Sequence, residues 1–199
     1  MPAVGERWRA AHGRPWAEAD VERLYQAVTP KQVEAARTHS QLIAGVVECV
    51  AELRRCGIKI AATTGYFREA AEVVYAAARE QGFVPDFAIC ADEVPQGRPA
   101  PWMIFRAMEA TGVYPPEAVV KVGDTVIDIE DGRNAGVWSV GVVDSSNEMG
   151  LSEAEFAALT PGERDRLRAA VRSRFTAASA DAVIHTLADL AAQIDKLSR

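Results

Sequence analysis

From residue 58 onward the chain alternates short apolar runs with amphipathic helical stretches, and that rhythm admits few folds. The runs "IKIAAT", "DFAIC" and "VVKVG" are followed by helical patterns over residues 67–81, 101–111 and 128–135, and "WSVGVV" comes next. Apolar runs without strict polar alternation suit strands covered on both faces, and helices between them act as crossovers linking parallel strands. A further short run, "DAVIHT", precedes a closing helix that aligns Leu187, Leu190, Ile194 and Leu197 on one face. The predicted class is α/β, an open parallel sheet with crossover helices.

The residues before this region show no strand period. "GERWRAAHG", "AEADVERLYQAVTPKQVEAARTH" and "AGVVECVAELRRCG" read as helices, with a break expected at Pro30 and a C-terminal stop at Gly57. Between the fourth and fifth apolar runs the pattern is again helical, and Leu151-Ser152 followed by Glu155 marks a capping box. At 199 residues the chain can bury one core with a small appended bundle.

Composition narrows the function classes. With 22 Lys plus Arg against 28 Asp plus Glu, the net charge of -6 repels a nucleic-acid backbone, so no nucleic-acid partner is expected. No run of 18 or more apolar residues and no N-terminal apolar segment of the secretory kind is present, so no membrane partner is expected and the default location is cytoplasmic. Cys49, Cys56 and Cys90 form no C-x-x-C pair and read as buried thiols, and His12, His39 and His185 have no metal-ligand spacing.

Open α/β sheets bind ligands beyond the carboxyl ends of their strands. Thr64-Gly65 stands where the first apolar run meets a helix, and a hydroxyl with free backbone N–H groups there suits an anion such as phosphate. The alternative is a threonine that caps the helix. In "QGRPAPWM", Pro99 and Pro101 stiffen the loop that carries Arg98, whose guanidinium suits phosphoryl oxygens; the alternative is a surface arginine in a turn. In "KVGDTVIDIEDG", Asp124 ends an apolar strand after Gly123, where a carboxylate can ligate Mg²⁺. Asp128 then lies behind it, orienting metal-bound water or Thr64, or else is a favourable first-turn charge, as Glu130 and Asp131 are taken to be.

In this order, "GIKIAATTGYFREAAEVV", "PDFAICADEVPQGRPAPWMIFRAMEATGVYP" and "VVKVGDTVIDIEDGRNAGVWSVGVV" resemble the phosphonoacetaldehyde hydrolase (phosphonatase) family of the haloacid dehalogenase superfamily over most of residues 40–199. The resemblance implies a Rossmann-like core over residues 46–199 and, over residues 1–45, the remainder of a helical cap domain. Thr64 matches the second superfamily motif, Arg98 the cationic third, and Asp124 and Asp128 the fourth. These positions imply phosphoryl binding by Thr64, Gly65 and Arg98, a Mg²⁺ ligand in Asp124, and catalytic roles for Thr64, Arg98 and Asp128.

The implied reaction cleaves the C–P bond of phosphonoacetaldehyde to acetaldehyde and phosphate. A cap lysine forms a Schiff base with the aldehyde, and an aspartate on the first core strand receives the phosphoryl group. Neither group has a match here: Asp20 and Glu18 are in a helical context, and Lys31, the first lysine, falls too late in the cap. The expectation is a core whose first strand is missing, with upstream codons encoding a strand that ends in Asp-x-Ala-Gly. Two other readings stay open: a non-catalytic remnant that binds phosphate, Mg²⁺ or a partner chain, and a phosphatase of the same superfamily. The family resemblance also implies a homodimer through cap helices, for which Trp8, Trp16, Leu24 and Tyr25 are candidates, with core packing as the alternative.

Overall fold

In the computed structural model, residues 2–197 are described. Helices α1 (Pro2–His12) and α2 (Glu18–Thr38) precede the sheets. The core then runs through α3 (Val46–Arg55), β1 (Ala61–Thr64), α4 (Arg68–Glu80), β2 (Phe87–Cys90), α5 (Trp102–Thr111), β3 (Val120–Gly123), α6 (Val126–Ala135) and β4 (Trp138–Val142). It closes with α7 (Glu153–Ala158), α8 (Pro161–Ala177), β5 (Ala182–Ile184) and α9 (Leu190–Leu197). Every strand pairing is parallel, as helical crossovers require.

The strands do not form one sheet. β1 pairs with β2, and β3, β4 and β5 form a separate sheet in that order. Among the described residues, β1 and β3 therefore each present one edge with no strand partner, and a side chain bridges them: Lys121 Nζ donates to Thr63 Oγ1 at 3.0 Å. An unpaired edge leaves a row of backbone donors and acceptors without a ladder.

β4 shows why its sheet needs helices on both faces. Val140 and Val142 point to one side, where Cys49 and Leu53 of α3, Ile184 of β5 and Leu190 of α9 close a core. On the other side Ile129 of α6, Val143, Met149, and Val171 and Phe175 of α8 make a second cluster. Ser152 and Glu155 form the expected capping box at α7, and Thr160 with Glu163 repeats it at α8, where Pro161 takes the first helical position.

Several local expectations need correction. Pro30 does not break α2, which continues through it. Pro30 and Gln26, the residue four before it, are both exposed, so the carbonyl that loses its N–H partner can turn to water. The first strand pairs from Ala61 rather than Ile58, because Asp86 ties off the chain at Ile60 by accepting from its N–H at 2.8 Å. Cys56 is exposed, not buried; Cys49 and Cys90 are buried. Asp20 is buried at the start of α2, where Arg14, Arg23 and the N–H of Ala17 all donate to its carboxylate. Trp16, Leu24 and Tyr25 are exposed and Trp8 is half-buried, so core packing does not account for the first three.

Candidate active site

Because β1 and β3 run parallel to their neighbours, the joints that follow Thr64 and Gly123 open at the carboxyl ends of their strands. The joint after β3 is built around Asp128. Thr125 caps α6, accepting from Asp128 N, and its hydroxyl donates to Asp128 Oδ2 at 2.6 Å. On the other carboxylate oxygen, Oδ1, two cations converge: Arg98 Nη1 at 2.5 Å and Lys121 Nζ at 3.1 Å. Gly123 makes this packing possible, since a Cβ there would lie 2.1 Å from Asp128 Cβ.

Arg98 links this cluster to the first joint. Its loop is tied to α6 by Asn134 Nδ2, which donates to Pro99 O at 2.7 Å. Its guanidinium then crosses the joint after β1, so that a Cβ on Gly65 would stand 2.6 Å from Arg98 Nη2. Gly65, Arg98, Asp128, Lys121 and Thr63 thus form one continuous set of contacts across the gap between the sheets.

Electrostatics favour an ionised Asp128. Burial pushes its carboxyl up, but Lys121, the Thr125 hydroxyl and Arg98 outweigh that and hold it below the usual carboxylate range. At 3.1 Å the Lys121–Asp128 attraction is roughly 5 kcal/mol at an effective dielectric of about 20, which desolvation of both ions largely offsets. The network therefore fixes positions more than it adds net stability. Asp131 behaves oppositely: fully buried and with neither carboxylate oxygen hydrogen-bonded, it has its pKa raised by burial against the pull of Lys121 and Arg98. Lys121 Nζ lies 3.8 Å from Asp131, too far for a good hydrogen bond.

The sequence-predicted residues fare differently. Arg98 and Asp128 are in direct contact, and Gly65 underlies Arg98. Thr64 neither caps α4 nor meets Asp128: Phe67 holds the N-cap position, and the Thr64 hydroxyl accepts from Tyr66 N at 3.2 Å. Thr125, not Thr64, receives Asp128. Asp124 is half-buried, and its Oδ2 accepts from Asn147 N at 3.0 Å and Asn147 Nδ2 at 2.8 Å.

Among the described residues no group of three or more His, Cys, Asp or Glu side chains is arranged to hold a metal. Asp124 brings one carboxylate, and among the described residues its Oδ1 accepts no hydrogen bond. A single free carboxylate oxygen fits Mg²⁺, which keeps several waters and is commonly held by one or two carboxylates together with phosphate oxygens.

Sequence reasoning missed Lys121, Asp92 and Asn147. Asp92 takes the capping role that the alternative reading gave to Thr64, accepting from Arg68 N at 3.0 Å in the first turn of α4. Lys121 carried a legible signal, a lone charge inside the apolar run "VVKVG". Asp131 was taken as a favourable first-turn helix charge and is fully buried.

Comparison with known proteins identifies the family. Residues 3–136 match the haloacid dehalogenase-like hydrolase model. A phosphonoacetaldehyde hydrolase from Parabacteroides distasonis is 42% identical over 198 residues, covering all of this chain and 75% of that protein. The chain belongs to the phosphonoacetaldehyde hydrolase family of haloacid dehalogenase-like hydrolases. A second family member, from Hahella chejuensis, is also 42% identical, over 199 residues and 68% of its length. The crystal structure of a phosphonoacetaldehyde hydrolase-like protein from Oleispira antarctica superimposes with a TM-score of 0.92 at 34% identity, covering all of this chain and 72% of that one. Membership makes the chain a hydrolase with a Rossmann-like α/β core. No helix among the described residues is long and apolar enough to cross a membrane.

Proposed function

We propose that this chain carries the phosphoryl- and cation-binding part of a phosphonoacetaldehyde hydrolase, which cleaves the C–P bond of phosphonoacetaldehyde to give acetaldehyde and phosphate. The observation that carries the reading is Arg98, held by Asp128 through one nitrogen while Nη2 lies over Gly65 at the first joint. A guanidinium held in this way keeps other N–H donors for phosphoryl oxygens, and Gly65 leaves the joint open beneath it. Thr64 and the adjacent backbone N–H groups offer further donors. Asp124 would hold Mg²⁺, which would offset phosphoryl negative charge as a Lewis acid.

The nucleophilic aspartate and the Schiff-base lysine are not assigned to any residue of this chain. Lys121 is the lysine of the cluster, but its Nζ is committed to Thr63 and Asp128. We place both missing groups on polypeptide outside this sequence, the aspartate on a strand seated between the free edges of β1 and β3. On this reading residues 1–45 are the remainder of a helical cap and residues 46–199 the core. The exposed Trp16, Leu24 and Tyr25 are then candidates for a homodimer contact. The substrate is a small phosphonate, the net charge of -6 disfavours nucleic acid, and the expected location is the cytoplasm.

A second reading, a non-catalytic chain that binds phosphate or Mg²⁺, is favoured by the divided sheet. Coupled acetaldehyde release separates the two. The purified chain is assayed with Mg²⁺ and phosphonoacetaldehyde beside a form extended upstream by a strand ending in Asp-x-Ala-Gly and by cap helices with a lysine. Activity only in the extended form supports the hydrolase reading. No activity in either, with phosphate binding retained, supports the binding reading, and activity in the short form refutes the assignment of the missing groups.

A further inference from the structure

The turn after β4 contacts the Asp124 joint in a way that the hydrolase reading does not use. Ser146 Oγ donates to the Asp124 carbonyl at 2.6 Å, and Glu148 Oε1 accepts from Val126 N at 3.5 Å. Glu148 is held in turn by Arg174 of α8 at 3.1 Å. Two side chains thus anchor the turn to the backbone on either side of Thr125. Between them, Asn147 directs both its backbone N–H and its Nδ2 at one oxygen of Asp124.

We propose that Asn147 is a positioning residue for Asp124. By occupying Oδ2 with two donors, it fixes the carboxylate in a single orientation and leaves Oδ1 as the oxygen presented to a divalent cation. A carboxylate on a short joint otherwise samples several rotamers, and each bond to a fixed donor removes some of that freedom. Partners of this kind, one step behind a metal ligand, commonly change metal affinity by about 10–100-fold when removed. Asn147 is exposed and closes no core, so its side chain has no packing duty that would explain the contact. The inference rests on the reading of Asp124 as the cation ligand.

The test is Mn²⁺ binding to the purified chain, followed by electron paramagnetic resonance with Mg²⁺ as competitor, together with melting temperature. Asn147→Ala removes Nδ2 but keeps the backbone donor, so about tenfold weaker Mn²⁺ binding with an unchanged melting temperature is expected. Asn147→Ser, which restores a short donor, should recover part of the affinity, and Asp124→Ala should abolish binding. If Asn147→Ala binds as wild type does while Asp124→Ala does not bind, the positioning role is overturned and Asp124 stands as the ligand. If Asp124→Ala binds normally, or wild type takes up no Mn²⁺, the ligand assignment falls and this inference with it.

Discussion

Replacing Gly123 by alanine tests whether Asp128 is held as rigidly as its contacts imply. The new Cβ would sit 2.1 Å from Asp128 Cβ and 2.5 Å from its Cγ. Carbon atoms pack at about 3.5–4.0 Å, so β3 and α6 must separate locally by roughly 1.5 Å. The bonds from Asp128 to Arg98, Thr125 and Lys121 span 2.5–3.1 Å and have no such slack. Stretching them leaves two cations short of their shared partner, and breaking a buried pair costs about 3–5 kcal/mol. With partial relaxation we expect a loss of about 3 kcal/mol, or roughly 6–12 °C in melting temperature for a chain of this size. Urea unfolding followed by circular dichroism measures it, with Gly162→Ala as control. A Cβ at Gly162, in the first turn of α8, meets nothing within 4 Å, so that change should be neutral or stabilise by up to about 1 kcal/mol. Gly123→Ala within about 1 kcal/mol of wild type would refute the argument, because the joint would then be soft enough to re-form the network around an added methyl.

Gly65→Ala meets only the end of the flexible Arg98 side chain, so its stability should change by less than about 1 kcal/mol. Displacing Arg98 should instead weaken binding of inorganic phosphate about tenfold or more by calorimetry; unchanged affinity would remove Arg98 from the phosphoryl site. Lys121→Met removes the ammonium shared by Asp128 and Asp131 and should cost about 3 kcal/mol at neutral pH. The pKa of Asp128 is depressed in the fold, so its contribution is present above its unfolded pKa and lost as pH falls through the folded one. The Lys121→Met deficit should accordingly shrink in acid, and a pH-independent deficit would contradict the pairing. Asp131 has the opposite sign: its raised folded pKa makes its contribution full below the unfolded pKa and lost as pH rises. Asp131→Asn should therefore gain stability over wild type as pH rises from acid to neutral, and parallel pH profiles would show that Asp131 is solvated.

Much of the architecture was legible because it is local. The apolar runs ending at Thr64 and Gly123 and the helices after them follow from periodicity, and the Ser152–Glu155 box follows from a four-residue pattern. Pro30 misled because a proline rule ignores exposure, and here water can take the freed carbonyl. The capping alternative for Thr64 fails because a hydroxyl near a helix start looks like a cap, while the acceptor for Arg68 N comes from Asp92, 24 residues away.

The sequence by itself determined the α/β class, the joint that carries Asp124 and Asp128, the loop that carries Arg98, and, through motif order, the family. Only the tertiary structure decided that Lys121 reaches Thr63, 58 residues away, that Asn147 seats on Asp124, that Asp131 is buried, and that the strands divide into two sheets. The physical reason is that backbone periodicity records which face of an element avoids water, whereas which charge meets which depends on how those faces pack. A carboxylate reads the same in sequence at Asp128 and Asp131; the cations and hydroxyl folded against it keep one charged, and burial without a donor works against charge on the other.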